Sequence, residues 1–253
     1  PVALAWSELG SGLERAAAKQ SQIWKLPVIG CQAFGGQAQA AIPAAAAMIC
    51  AEIAILLVDD ILDEDPRGEY QRIGAGPAAN LAMGMQALAM AVVLDQQELE
   101  RSQRASQAVA RMLATVAGGQ ALDVANRRDE QHYWQVTEAK SAAWFASALY
   151  LGALYADAKP EAAERLYEFG LVYGQMMQIH DDLNDVLATP ANVDWTSGRY
   201  PLPILFAELV DHPDRQRFIK LRRQAEDPTA LEAAQSILVS CGAISYSVNE
   251  LVL

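Results

Sequence analysis

Two acidic triplets share one spacing. In "ILLVDDILD", Asp59, Asp60 and Asp63 follow the apolar run Ile53–Val58, and in "MMQIHDDLND" Asp181, Asp182 and Asp185 close a similar stretch. Both are spaced i, i+1, i+4. On a helix such residues fall within about a 100° arc, the first and last stacked one turn apart. Three carboxylates that close repel one another unless a cation sits among them. Oxygen-only ligands suit a hard ion, Mg²⁺ above all, which keeps waters and substrate phosphates in its shell. Either triplet alone is also what a solvated acidic helix face looks like. Two of them, on different helices and each at the end of an apolar segment, can face one another across a cavity. They would then hold several Mg²⁺ ions and, through them, a diphosphate. Metal-held diphosphate is a good leaving group, because the ions take up the charge that develops as the C–O bond breaks.

The elements that must position these residues read as helices. The 253-residue chain is 52% hydrophobic and only 7% aromatic, alanine is abundant, and period-2 runs of β-branched residues are scarce. The pattern predicts helices at about 3–20, 26–34, 38–64, 75–95, 97–118, 119–129, 134–156, 159–189 and 201–211, with one or two more to the end. Breaks are expected at "FGG", "DEDPRGEYQRIGAG", "AGGQ", "RRDEQHYW", "DAKP", "TPANVDWTSGRYP" and "DHPD". "AMGMQALAMAVVL" and "SAAWFASALYLGALYA" lack a polar face, which places them at the centre of a large bundle. The expectation is one all-α domain over residues 1–253. Leu26–Ala51 carries no charge, but its alanines, Pro27, Pro43, Gly35 and Gly36 favour two buried helices broken at "FGGQ" over a transmembrane segment.

The net charge of −12 excludes a nucleic-acid partner, which needs a basic footprint. Cys31, Cys50 and Cys241 show no metal or disulfide spacing and read as buried thiols in a reducing compartment. "PVALAWSELG" lacks the basic start and cleavage pattern of a secretory leader, so a cytoplasmic location is expected. No Ser/His/Asp arrangement, phosphate-binding glycine loop or zinc spacing is present. His180 points about 100° away from Asp181 and is expected to pack between helices. Met83, Met85, Met90, Met176 and Met177 are pocket-lining candidates, though methionine at helical spacing is ordinarily core filling.

"DDILD" and "DDLND" resemble the paired DDxxD motifs of the all-trans isoprenyl diphosphate synthases, and the likeness runs from about Gln22 to Glu250. "GCQAFGG" looks like that family's early helix turn, and "EDPRG" like the stretch after its first motif. "EAKSAAWFASALYLGA" resembles its Lys-Thr helix, with Lys140 and Ser141 at those positions. "GQMMQIHDDLND" is similar to its second-motif helix, Gln178 included, and "DWTSGRYPLPILFA" to its closing D-x-x-x-G-K-x-T-L-P segment, with Arg199 in place of the lysine. The resemblance implies an isoprenoid synthase-type helical bundle around a central apolar pocket. It implies Mg²⁺ held by Asp59, Asp60, Asp63, Asp181, Asp182 and Asp185, three ions with a bound diphosphate. Lys140 and Arg199 would grip the diphosphate, with Arg67 and Arg72 as further candidates, and Gln178 would face the carbocation. The implied substrates are an allylic isoprenoid diphosphate and isopentenyl diphosphate, and the implied assembly is a homodimer.

The likeness breaks at the acceptor. Where the family has a basic G-K-R-x-R-P segment for isopentenyl diphosphate, this chain has "KQSQIW", flanked by Lys19 and Lys25, and an Arg-Arg pair is reduced to Arg67. A second polyanion site without cations lacks its charge-assisted partners. Prenyl transfer to isopentenyl diphosphate therefore stands beside ionisation quenched without it, as in a terpene synthase, and transfer to a different acceptor such as a peptide. A non-catalytic partner subunit has no reason to keep both triplets. One turn before Asp59, Ala54 and Ile55 are the expected pocket-floor residues. A small Ala54 would leave room for a product of about twenty carbons.

Overall fold

The computed structural model describes residues 6–19, 22–94 and 98–252, with the backbone alone for 16–19 and 22. The expected helix starts at 3 and 97, and Gln20 and Ser21 of "KQSQIW", lie outside the described residues. Within them every regular element is helical. In chain order these are α1 (Ser7–Lys19), α2 (Leu26–Ala33), α3 (Ile42–Leu62), α4 (Ala75–Leu94), α5 (Leu99–Val124), α6 (Glu130–Val136), α7 (Ala143–Tyr155), α8 (Pro160–Leu187), α9 (Leu202–Leu209), α10 (Arg215–Arg222), α11 (Pro228–Ser240) and α12 (Ala243–Glu250). Single turns at Tyr70–Ile73 and Val193–Thr196 and short 3₁₀ segments connect them. Proline stands in the first turn of α2, α3, α8, α9 and α11, where its fixed φ helps and its missing N–H is not needed.

Helix α7 is the axis of the bundle. Every residue from Ala143 to Tyr155 except Phe145 is buried, as a helix without a polar face requires. It packs against α2, α5 and α8, while α3 lies against α4. The other all-apolar segment behaves differently. Helix α4 buries one face, through Leu81, Met85, Ala89 and Val93, and leaves Met83 and Leu94 exposed. Alanine carries little transfer free energy, so an alanine-rich face can stand at the surface. Two stretches, Ala38–Leu62 and Ala75–Leu94, are long and apolar enough to cross a membrane. The first packs on α4, α5 and α7 and runs into Asp59 and Asp60, as a core helix feeding a polar site does.

Two expectations fail. The break at "AGGQ" is absent, and α5 runs straight through it. Gly119 serves packing instead: a Cβ there would stand 2.6 Å from the Lys140 backbone nitrogen, so only glycine lets the two backbones meet. The C-terminal region holds three helices, α10 to α12, where one or two were expected. With α9 they enclose a second core around Trp195, Ile204, Phe218 and Leu231.

Candidate active site

Helix α3 delivers Asp59 in its last turn and Asp63 at its C-cap. Asp123, near the end of α5, joins them, and one oxygen from each lies within 4.8 Å of the other two. Two cations bridge this cluster. The Lys140 ammonium is 2.8 Å from Asp59 and 2.7 Å from Asp123. The Arg199 guanidinium is 2.6 Å from Asp123 and bonds Asp63 through its other amine. Gln120 also donates to Asp59. Lys140 sits in a π-helical stretch, Thr137–Ala142, that joins α6 to α7 without a break; such widened turns recur at functional sites.

The charges act on one another as the geometry requires. Burial alone would raise the Asp123 carboxyl, but Lys140 and Arg199 more than offset it and hold the group below the usual carboxylate range. Asp63 goes the other way, raised by burial and then by the negative charge of Asp59. Burial works against the Lys140 ammonium, yet Asp59 and Asp123 raise its pKa. The cluster borders a cleft of about 210 Å³ whose lining includes Tyr133, Gln178, Asp182 and Asp194.

The second triplet divides more sharply. Asp182 is buried, 5% exposed, and its oxygens are taken. One accepts from the Tyr133 hydroxyl and the Leu202 N–H, both at 2.8 Å. The other accepts from the Gln178 amide at 2.8 Å, whose own oxygen receives the Ser141 hydroxyl. Burial outweighs these three donors and pushes the Asp182 carboxyl up to about 7. Asp181 is exposed and Asp185 partly buried; the Asp185 carboxyl is raised by burial. His180 is exposed, with a ring nitrogen 3.2 Å from the Asn184 amide, so it does not pack between helices as expected.

Other expected residues lie elsewhere. Asp60, about 100° around α3 from Asp59, borders a second cleft of about 390 Å³ lined also by Arg15, Trp24, Glu52, Leu56 and Arg67; the Arg67 charge acts on both Asp60 and Asp185. The Arg67 side chain, 79% exposed, pairs with Asp65, and Arg72 pairs with Glu69, which also binds Arg15 at 2.8 Å. The Trp24 indole donates to Glu52 at 2.7 Å. Ala54 is fully buried against Leu9, Leu81 and Met85, and Ile55 packs on the main core. Neither lines either of the two clefts. The face of α3 that does so is Ile53–Leu56–Leu57–Asp60, about 100° around the helix from Ala54.

The Polyprenyl synthetase family model matches residues 25–238. The chain belongs to that family. This polyprenyl synthetase is 29% identical over 238 residues to a short chain isoprenyl diphosphate synthase of Methanothermobacter thermautotrophicus, covering 88% of this chain and 73% of that one. It is 27% identical over 241 residues to a geranylgeranyl diphosphate synthase of Methanosarcina mazei, covering 88% and 72%. Its fold is similar to the crystal structure of geranylgeranyl pyrophosphate synthetase from Pyrococcus horikoshii, with a TM-score of 0.85 at 21% identity over 96% of this chain and 80% of that one. The protein is thus an all-α isoprenoid synthase-type bundle and a transferase of the isoprenyl diphosphate synthase kind.

Asp123 and Gln120 lie outside the paired motifs of this polyprenyl synthetase. Their sequence signal is "QALD", a Gln and an Asp three apart on one face of α5, masked by the adjacent "GG", which suggests a helix break. The donor set fits the Mg²⁺ that the family implies. It is oxygen-only and converges from two helices, and cationic side chains already stand among the carboxylates.

Proposed function

We propose that this polyprenyl synthetase is a Mg²⁺-dependent prenyltransferase that ionises an allylic isoprenoid diphosphate and joins the prenyl group to isopentenyl diphosphate, with a geranylgeranyl-sized product. The observation that carries this reading is the Asp59–Asp63–Asp123 cluster bridged by Lys140 and Arg199. Asp59, Asp63 and Asp123 would hold Mg²⁺ on one side of the site, with Asp181 and Asp185 of α8, outside the lining of the cleft, as the ligands proposed for the other. Bound there, Mg²⁺ supplies neutralisation of the charge that builds on the leaving diphosphate. Lys140 and Arg199 exchange carboxylate partners for diphosphate oxygens, to which they bind as charge-assisted donors. Asp182 carries no metal in this scheme; it fixes Tyr133, Gln178 and the start of α9. The departing diphosphate is itself able to accept the proton lost from the acceptor, so no dedicated histidine is required.

The product size is supported by relatives named as geranylgeranyl diphosphate or pyrophosphate synthases. A homodimer belongs to the same reading. The exposed face of α4, at Met83, Ala87, Ala91 and Leu94, is apolar along its length and supports it; light scattering measures the assembly.

The test is incubation with Mg²⁺ and geranyl, farnesyl or geranylgeranyl diphosphate, with and without labelled isopentenyl diphosphate. Label in a longer diphosphate is the expected result. Diphosphate release with a hydrocarbon or alcohol product, equal with and without isopentenyl diphosphate, overturns the acceptor. No release from any donor overturns the enzyme reading.

A further inference from the structure

The segment that carries Arg199, Ser197 to Pro201, has no regular secondary structure, yet it must hold one guanidinium between two carboxylates. Its backbone groups therefore need partners outside the segment. Gly198, in the left-handed region at φ +78°, offers its carbonyl to the Asn126 amide at 3.1 Å. Leu202 gives its N–H to Asp182. The Arg199 carbonyl itself accepts from Arg222, on α10.

Arg222 is an unusual residue to find there. It is 6% exposed, and its partner Glu208 on α9 is 4% exposed. Their contact is 2.6 Å. Burying such a pair adds little net stability, since the desolvation penalty rivals the attraction. What the pair does is visible in its remaining contacts. One amine of Arg222 holds the Arg199 carbonyl while another is fixed by Glu208. The guanidinium plane lies over the Tyr200 ring, 4.8 Å from its centre. Glu208 is braced in turn by Arg128 at 3.3 Å through its side chain and by Arg215 at 2.8 Å through its backbone carbonyl. Thus Arg199 and Tyr200 are gripped from behind, while the Arg199 side chain reaches the other way, to Asp63 and Asp123.

We propose that Arg222, locked by Glu208, is a positioning residue that sets where the Arg199 guanidinium stands over the diphosphate site. Displacements of about 1 Å in such a group are enough to lose most of its effect. The inference rests on the reading that Arg199 binds the diphosphate.

A double-mutant cycle separates positioning from plain structural support, because residues that act through one group do not add. Calorimetry would measure the affinity for inorganic diphosphate, with Mg²⁺ present, of the wild type, R199M, R222M and R199M/R222M. R199M and R222M are each expected to weaken binding by about tenfold, and R222M to cost less than about twofold more once Arg199 is gone. Removing Arg222 takes from the buried Glu208 its 2.6 Å partner and leaves it the longer contact with Arg128, so R222M is paired with E208L/R222M, which deletes both charges. The same cycle is run with that variant, and its unfolding midpoint is compared with the wild type's. Additive losses in either cycle, or wild-type affinity in both Arg222 variants while R199M binds weakly, overturn the positioning role alone. Wild-type affinity in R199M overturns the diphosphate role of Arg199 itself.

Discussion

The two triplets have one spacing and two fates. At "DDILD" the first and last carboxylates meet a third from α5 and two cations, and the middle one turns to another cleft. At "DDLND" the first stays exposed and the last is partly buried, while the middle one is buried under three donors. In the first triplet the i, i+4 pair joins the acidic cluster, whereas in the second it is the i+1 residue that borders the cleft. The lesson is about helical phase. A residue 100° around the helix from its neighbours looks into a different part of the molecule, so a repeated motif does not guarantee a repeated role.

That split can be broken most directly by Asp59→Ala against Asp60→Ala. The first is expected to lower diphosphate release by about a thousandfold or more, the second by about tenfold or less. Equal losses would mean that the i+1 carboxylate belongs to the same wall. Asp182→Ala against Asp181→Ala inverts the comparison. Loss of Asp182 strands three donors and should lower the unfolding free energy by about 3 kcal/mol in denaturant titrations, whereas the exposed Asp181 should change it by about 0.5 kcal/mol or less. Gly119→Ala tests the wall of the first triplet. Its Cβ would press on Lys140 and should cost about 2 kcal/mol of stability, with weaker diphosphate binding; an unchanged melting curve would show that the crossing has slack.

Proton linkage sharpens the contrast further. Folded, Asp182 keeps its proton up to about pH 7; unfolded, it loses it near pH 4. Between those values the folded chain binds the extra proton, so stability falls as pH rises through the window, by at most about 1.4 kcal/mol per unit from this one group. Denaturation of Asp182→Asn across that range should lack this slope, and a slope identical to the wild type's would remove Asp182 as its source. The smallest effect is expected at Arg72, which pairs with Glu69 in solvent. Its alanine variant should bind inorganic diphosphate as the wild type does, in contrast with Lys140→Ala.

Much of this was legible along the chain because it is local. Apolar runs, prolines and "FGG" mark helices and their ends, and Lys140 stands out as a charge beside more than a dozen residues without one. What escaped depends on who meets whom. Nothing near Asp182 announces Tyr133, 49 residues earlier, or Leu202 from a later helix. Asp123 is a lone carboxylate until α5 is laid beside α3. "GG" signals a chain break and a close crossing in the same letters, and only the packed partner decides between them. The same holds for Ala54, whose size is readable but whose neighbours are not.

The π-helical stretch also absorbs chain length. Across Thr137–Ala142 the chain takes more residues per turn than the 3.6 of α6 and α7, so the helix on either side runs at a different phase. Six residues at the smaller advance of the widened stretch turn nearly as far as five at 100°, so the stretch takes up about one residue more than a regular helix would. Deleting one of them and relaxing to α-helix would leave Glu130–Val136 and Ala143–Tyr155 in nearly the same relative phase, with Tyr133 still toward Asp182. The change would fall inside the stretch, where Lys140 reaches Asp59 and Ser141 reaches Gln178.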